Sequence, residues 1–103
     1  MTIRVPIIQG GMGVGVSLHP LASAVAEEGG VGIISSACLD RLVSKRHNKK
    51  IDSYQAAYEE VSLAKARGGF AGINIMCALA KDYEASVRGA LDADADAIIS
   101  GAG

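Results

Sequence analysis

Four short apolar runs, the first three each followed by a helix-length amphipathic segment, constrain this chain more than any other feature. The runs are Val5 to Gln9, Gly32 to Ser36, Gly72 to Met76 and Ala97 to Ser100. Gly-Ile-Ile-Ser-Ser at 32–36 shows no polar alternation, which suits a strand buried on both faces of a parallel sheet. A strand–helix repeat of this kind implies βαβ units with right-handed crossovers, hence an α/β fold with a parallel sheet.

The helices are bounded by ordinary start and stop signals. After the first strand, Gly10, Gly11, Gly13 and Gly15 form a loop, Ser17 can cap a helix, and Pro20 falls in its first turn. Leu18, Leu21, Ala22 and Val25 would make one apolar face, and Gly29-Gly30 the C-terminal stop. A second helix starts at Asp52 or Ser53, with Gln55 completing an approximate capping box. Tyr54, Ala57, Tyr58, Val61 and Ala64 would form its buried face, and Gly68-Gly69 close it. Asp82 is expected to cap a third helix with the face Tyr83, Val87, Ala90 and Leu91. Between the second strand and the second helix lies a polar stretch, Asp40 to Lys50, rich in Lys45, Arg46, His47, Lys49 and Lys50. It reads as a solvated loop in preference to a phosphate-binding lid.

Composition excludes several partners. A net charge of −1 and only four aromatic residues (one Phe, three Tyr) argue against nucleic acid, either as a charge-neutralised duplex or as stacked single strands. No apolar run approaches the roughly 18–20 residues that a membrane span needs, and no signal peptide opens the chain. A cytoplasmic protein acting on a small molecule is expected. Cys38 and Cys77 follow the second and third strands without metal or Cys-x-x-Cys spacing, and read as small reduced residues. His19 and His47 also lack metal spacing and are expected to be exposed. Asp92, Asp94 and Asp96 lack the glycine and terminal Glu of a calcium loop, so no metal site is expected.

Pro6-Ile7-Ile8-Gln9-Gly10-Gly11-Met12-Gly13 is the most informative motif. Glycines directly after a strand let backbone N–H groups approach a flat or anionic ligand without interference from Cβ, although a tight turn alone would also need them. The dinucleotide pattern G-x-G-x-x-G fails, because Val16 or Leu18 stands where its third glycine belongs. The second strand ends in Ser35-Ser36, not in a ribose-binding acid. Asn74 is unusual in an otherwise apolar strand. A buried amide needs partners, supplied either by a ligand or by a neighbouring loop.

Taken together, the 6–13 motif, Leu-Ala-Ser-Ala-Val-Ala at 21–26, Gly-Gly-Val-Gly-Ile-Ile-Ser at 29–35, Gly-Ile-Asn-Ile-Met at 72–76 and Ile-Ile-Ser-Gly-Ala-Gly at 98–103 resemble the opening of the nitronate monooxygenases. That family was formerly called 2-nitropropane dioxygenases and includes FMN-dependent enoyl-ACP reductases. The resemblance runs through nearly the whole chain in order.

The resemblance implies an FMN-containing (β/α)8 barrel, of which residues 1–103 are the N-terminal half, four βα steps. It implies flavin contacts at Gly10, Gly11, Met12 and Asn74, and then at Ser100 and Gly101. Asp94 stands where the family often has Gly, and is expected to adopt a left-handed cap. The family's catalytic His lies on a later strand and no residue here matches it, so this chain is expected to carry no catalytic residue. The uncovered last strand points the same way, to a truncated barrel. The parent activity implied is oxidation of nitronates or nitroalkanes with O2, with NAD(P)H-dependent enoyl-ACP reduction as the alternative. By itself the fragment is expected to be inactive and to bind FMN weakly or not at all. A non-catalytic fragment that pairs its exposed edges in a homo-oligomer is the reading from a different class.

Overall fold

The computed structural model describes residues 3–76 and 80–101, so Cys77 lies outside the described residues. In chain order the elements are α1 (His19–Glu27), β1 (Val31–Ser35), α2 (Leu39–His47), α3 (Ser53–Lys65), β2 (Phe70–Met76), α4 (Ala80–Asp92) and β3 (Ala97–Gly101). The strands form one three-stranded sheet in the order β1-β2-β3, parallel throughout. The α/β class and the parallel sheet are as the sequence implies. No helix among the described residues is long and apolar enough to cross a membrane.

The expected strand at Val5–Gln9 is reduced to one parallel bridge, Ile8 with Val31. The backbone follows the free edge of β1 only briefly: Val31 N donates to Ile7 O at 3.0 Å, and Gln9 N to Val31 O at 3.1 Å. One step further a side chain replaces the backbone. Ile33 N donates to Gln9 Oε1 at 3.0 Å, and Gln9 Nε2 donates to Ile33 O at 3.0 Å. A carboxamide carries the same donor and acceptor as a peptide, so Gln9 continues the ladder while the main chain turns away into the glycine loop. Ser17 O then accepts from Ser35 N at 2.8 Å. From Val31 N to Ser35 N, the backbone groups along this edge thus find partners.

Strand pairing defines two unlike faces. Ile34, Ile73 and Ile98 are register neighbours, and with Ala71 and Ile75 they face the helices. Ala22 of α1, Ala56, Ala57, Val61 and Ala64 of α3, and Ala90 of α4 complete that core. The helices approach closely because the contact residues are small. A methyl group on Gly32 would lie 1.9 Å from the Ala22 carbonyl oxygen, and one on Gly89 would lie 2.2 Å from that of Tyr54. The opposite face carries Val31 and Phe70, then Ile33, Gly72 and Ala97, then Ser35, Asn74 and Ile99, and finally Met76 and Gly101.

The expected faces keep their small residues in the core, Ala22, Ala57, Val61, Ala64 and Ala90, but lose several of their large ones. In α1 the buried residues are Ala22, Ser23 and Ala26, while Leu21 is exposed. In α3 they are Ala56, Ala57, Glu60, Val61 and Ala64, and Tyr58 is exposed. Leu91 of α4 is likewise exposed. Large side chains do not fit where a helix touches a sheet this closely, so they move to the rim.

The polar stretch after β1 is not a loop. Leu39 and Val43, four positions apart, are buried and anchor α2, which leaves its cations on the outer side. Asp52 caps α3 as expected, accepting from Gln55 N at 2.8 Å. Asp94 takes the expected left-handed conformation, φ 61°. Asp82 lies inside the first turn of α4 and is therefore not its cap. Ser17 does not cap α1 either. Leu18 occupies that position, and the cap acceptor comes from another helix, with Glu60 Oε1 3.0 Å from His19 N.

Candidate functional site

The C-terminal ends of β1, β2 and β3, on the face away from the helices, are where the sequence-derived site residues meet. Gly11 is packed directly on this end of the sheet: a methyl group there would stand 2.9 Å from Ile33 Cγ2, 3.0 Å from Asn74 Cβ and 3.2 Å from Ile34 O. Only glycine lets the loop lie so low. Asn74 Nδ2 donates to Gly11 O at 3.4 Å. Its carboxamide thus satisfies the loop, and Oδ1 has no donor among the described residues. Gly101 stands beside it, with open space where a side chain would be: a methyl group would lie 3.9 Å from Asn74 Oδ1.

Gly10 and Met12 complete the cluster from the loop side, where Met12 Cε would lie 3.8 Å from a methyl group on Gly10. Met12 is 65% exposed, as befits a flexible apolar side chain awaiting a surface to cover. Ser100 is the exception. The strand's alternation turns its side chain towards α4, where Oγ hydrogen-bonds Tyr83 OH at 2.6 Å. The structure therefore brings together Gly10, Gly11, Met12, Asn74 and Gly101, and leaves only the Ser100 backbone near them.

The loop itself is held by side chains that sequence reading assigned elsewhere. Ser17 is fully buried. Its Oγ lies 2.9 Å from Met12 N, 3.1 Å from Gln9 Nε2 and 3.4 Å from Gly10 O. Gln9 Nε2 also reaches Gly10 O at 2.6 Å. Ser35 Oγ donates to Gly13 O at 2.8 Å. The available signal was a run of hydroxyl and amide side chains next to glycines, a pattern equally readable as helix capping and strand termination.

Two further clusters lie on the helix side. A cleft of about 300 Å³ at the start of α2 is lined by Ser36, Cys38, Arg41, Asp82, Tyr83 and Ser86 among others. Cys38 is exposed there, in a left-handed conformation with φ 53°. Between α1, α2 and α3, the fully buried Glu60 accepts from His19 N and from Arg46 at 2.7 Å, and its Oε2 lies 3.0 Å from His19 Nδ1. His19 is thus partnered by a carboxylate, contrary to the exposed position expected. Arg46 also contacts Glu59, which His47 Nε2 reaches at 2.6 Å. Burial alone would raise the Glu59 carboxyl, but hydrogen bonds from Arg46 and His47 outweigh it and hold the group below the usual carboxylate value. Burial alone would lower Arg46, and its bonds to Glu60 and Glu59 more than reverse this. Tyr54 is held above the ordinary phenol value, chiefly by its hydrogen bond to Asp92. No group of three or more metal-ligating side chains occurs among the described residues.

A family model for nitronate monooxygenase matches residues 1–98. The chain belongs to the nitronate monooxygenase family. The family is one of oxidoreductases, whose members are generally flavin-dependent. Comparison with curated proteins finds no match. A glycine-floored shelf beside a carboxamide with a spare acceptor suits the polar edge of a flat heterocycle, and an exposed methionine suits its ring face.

Proposed function

We propose that residues 1–103 form the N-terminal half of an FMN-dependent (β/α)8 barrel that oxidises nitronates with O2, with the helix-free face of the sheet lining the barrel interior. The observation that carries this reading is the convergence of Gly10, Gly11, Met12, Asn74 and Gly101 at the C-terminal strand ends of that one face. In α/β barrels this end is where ligands bind. Flavin, when bound, supplies the redox chemistry. The residues of this chain bind and orient: loop amides and Asn74 meet polar edge atoms, Met12 covers ring surface, and Ile33 and Ile99 keep water from the underside.

No proton-transfer group stands on this face among the described residues. Val31, Ile33, Ser35, Phe70, Gly72, Asn74, Met76, Ala97, Ile99 and Gly101 offer no carboxylate or imidazole. On this reading the chain carries a share of the flavin site and no catalytic residue, and turnover of a nitronate by this polypeptide alone is expected to be nil. Titrating isotopically labelled protein with FMN, followed by amide and carboxamide NMR shifts, tests the reading. Weak, saturable shifts confined to Gly10–Met12, Asn74 and Gly101 are expected. Shifts centred on the Cys38–Tyr83 cleft, or none at millimolar FMN, would overturn it.

A further inference from the structure

The loop from Gly10 to Val16 treats its donors and its acceptors differently. The carbonyls of Gly10, Gly11, Met12 and Gly13 are each bonded inward, to Gln9 Nε2, Asn74 Nδ2, Ser17 N and Ser35 Oγ respectively. Of the amides, only Met12 N is so engaged, at Ser17 Oγ. Among the described residues none accepts from the amides of Gly10, Gly11, Gly13, Val14, Gly15 or Val16. The first four carbonyls of the loop are thus spent on its own scaffold while six of its amides are left over, an arrangement that favours an acceptor-bearing ligand over the Gly10–Gly13 segment.

One hydroxyl sits at the centre of this asymmetry. A serine hydroxyl has one donor and two acceptor positions. Ser17 Oγ donates to Gly10 O and accepts from Met12 N, and its remaining lone pair lies 3.1 Å from Gln9 Nε2, whose two hydrogens are shared among Ser17 Oγ, Gly10 O and Ile33 O. It is fully buried, so water cannot substitute. Gln9 in turn is fixed by its two bonds to Ile33 on the β1 edge. The loop conformation is therefore relayed from the sheet through Gln9 to Ser17, and from Ser17 to Gly10 and Met12.

We propose that Ser17 is a positioning residue. It turns the loop carbonyls inward and thereby presents the remaining amides to an acceptor-bearing edge of a planar ligand. The identity of that ligand as a flavin rests on the reading under Proposed function. The orientation of the loop does not.

The test compares Ser17→Ala, Ser17→Thr and Gln9→Glu in the full chain by amide hydrogen exchange and NMR shifts, with FMN as the added probe. In Ser17→Ala the Met12 amide is expected to exchange at least tenfold faster. The resonances of residues 10–16 shift while those of β2 and β3 stay in place, and Ser17→Thr restores the original pattern. The initial slope of FMN-induced shifts should fall at least threefold in Ser17→Ala and recover in Ser17→Thr. Gln9→Glu keeps the shape but removes the Nε2 donor, and should reproduce the loop changes even if Ser17→Ala does not fold. Unchanged Met12 exchange in both Ser17→Ala and Gln9→Glu overturns the positioning role. A loop that responds as expected in a protein FMN never perturbs supports it and counts against the flavin reading alone.

Discussion

The two faces of the sheet are built from the same three strands yet obey different rules. On the helix face, Ile34, Ile73 and Ile75 pack against Ala22, Ala57, Val61 and Ala90 at close range. Each large side chain buried there contributes about 1.5–3 kcal/mol. On the other face the ends of the strands carry glycines, one carboxamide and partly exposed Met76 and Ile99. The apolar side chains beside it, Ile7, Ile8, Met12, Val14 and Val16, are all more than half exposed. The contrast teaches that adjacent residues of one strand divide the work: odd positions of β2 hold the fold, and even positions near its end lie on the less filled face, where the flavin site is proposed.

The sharpest way to break this contrast is to exchange glycines. Gly32→Ala drives a methyl group into the Ala22 backbone and should cost roughly 3 kcal/mol or more, read as a lower urea midpoint. Gly101→Ala meets only ordinary contact distance and should change stability by less than about 0.5 kcal/mol, while reducing FMN-induced shifts at Asn74. Similar costs for the two substitutions would mean that the faces are not distinct.

Glu60→Ala tests whether the helix layer relies on a buried carboxylate as well as on small residues. It strips the cap from α1 and a partner from Arg46, and should cost about 1–3 kcal/mol by urea unfolding. A smaller effect belongs to Asn74→Ala. It leaves Gly11 O without its side-chain donor at a half-buried site, a loss of about 1 kcal/mol, and should abolish most of the FMN-induced shift at Gly11.

The smallest expected effect is a pH dependence at the surface. Glu59 has a folded pKa below its unfolded value, so its contribution is fully present above the ordinary carboxylate range and is lost as pH falls through the folded value. Solvent screening keeps the pair to a few tenths of a kcal/mol. The difference in urea midpoint between wild type and Glu59→Gln should therefore be present just above the ordinary carboxylate range and shrink as pH falls below it. A difference that grows on acidification would contradict the ion pairing with Arg46 and His47.

Much of the site was legible because its chemistry is local. Glycines after a strand and an Asn in an apolar strand are informative wherever the chain later places them. Gly10, Gly11, Met12, Asn74 and Gly101 do converge. Ser100 was not legible as an outward residue until the register placed it opposite Ile75, on the side of Tyr83. Gln9 and Ser17 were legible as polar residues but not as the braces of the loop, since each acts through partners up to 24 positions away. α2 was hidden because two buried anchors, Leu39 and Val43, are outweighed in sequence by the cations around them.

By itself, the order of apolar runs and glycine stops determined the α/β class and the three strands of the parallel sheet, because these depend on backbone freedom and local hydrogen bonding, and the ordered motifs determined the family. Tertiary structure alone decided that Leu21, Tyr58 and Leu91 are left exposed at the edges of the buried helix faces. Close approach to the sheet admits only small side chains, a condition set by the partner surface and not by the helix. It also decided that the first expected strand ends after a single bridge. There a glutamine side chain satisfies the β1 edge and frees the main chain to form the loop.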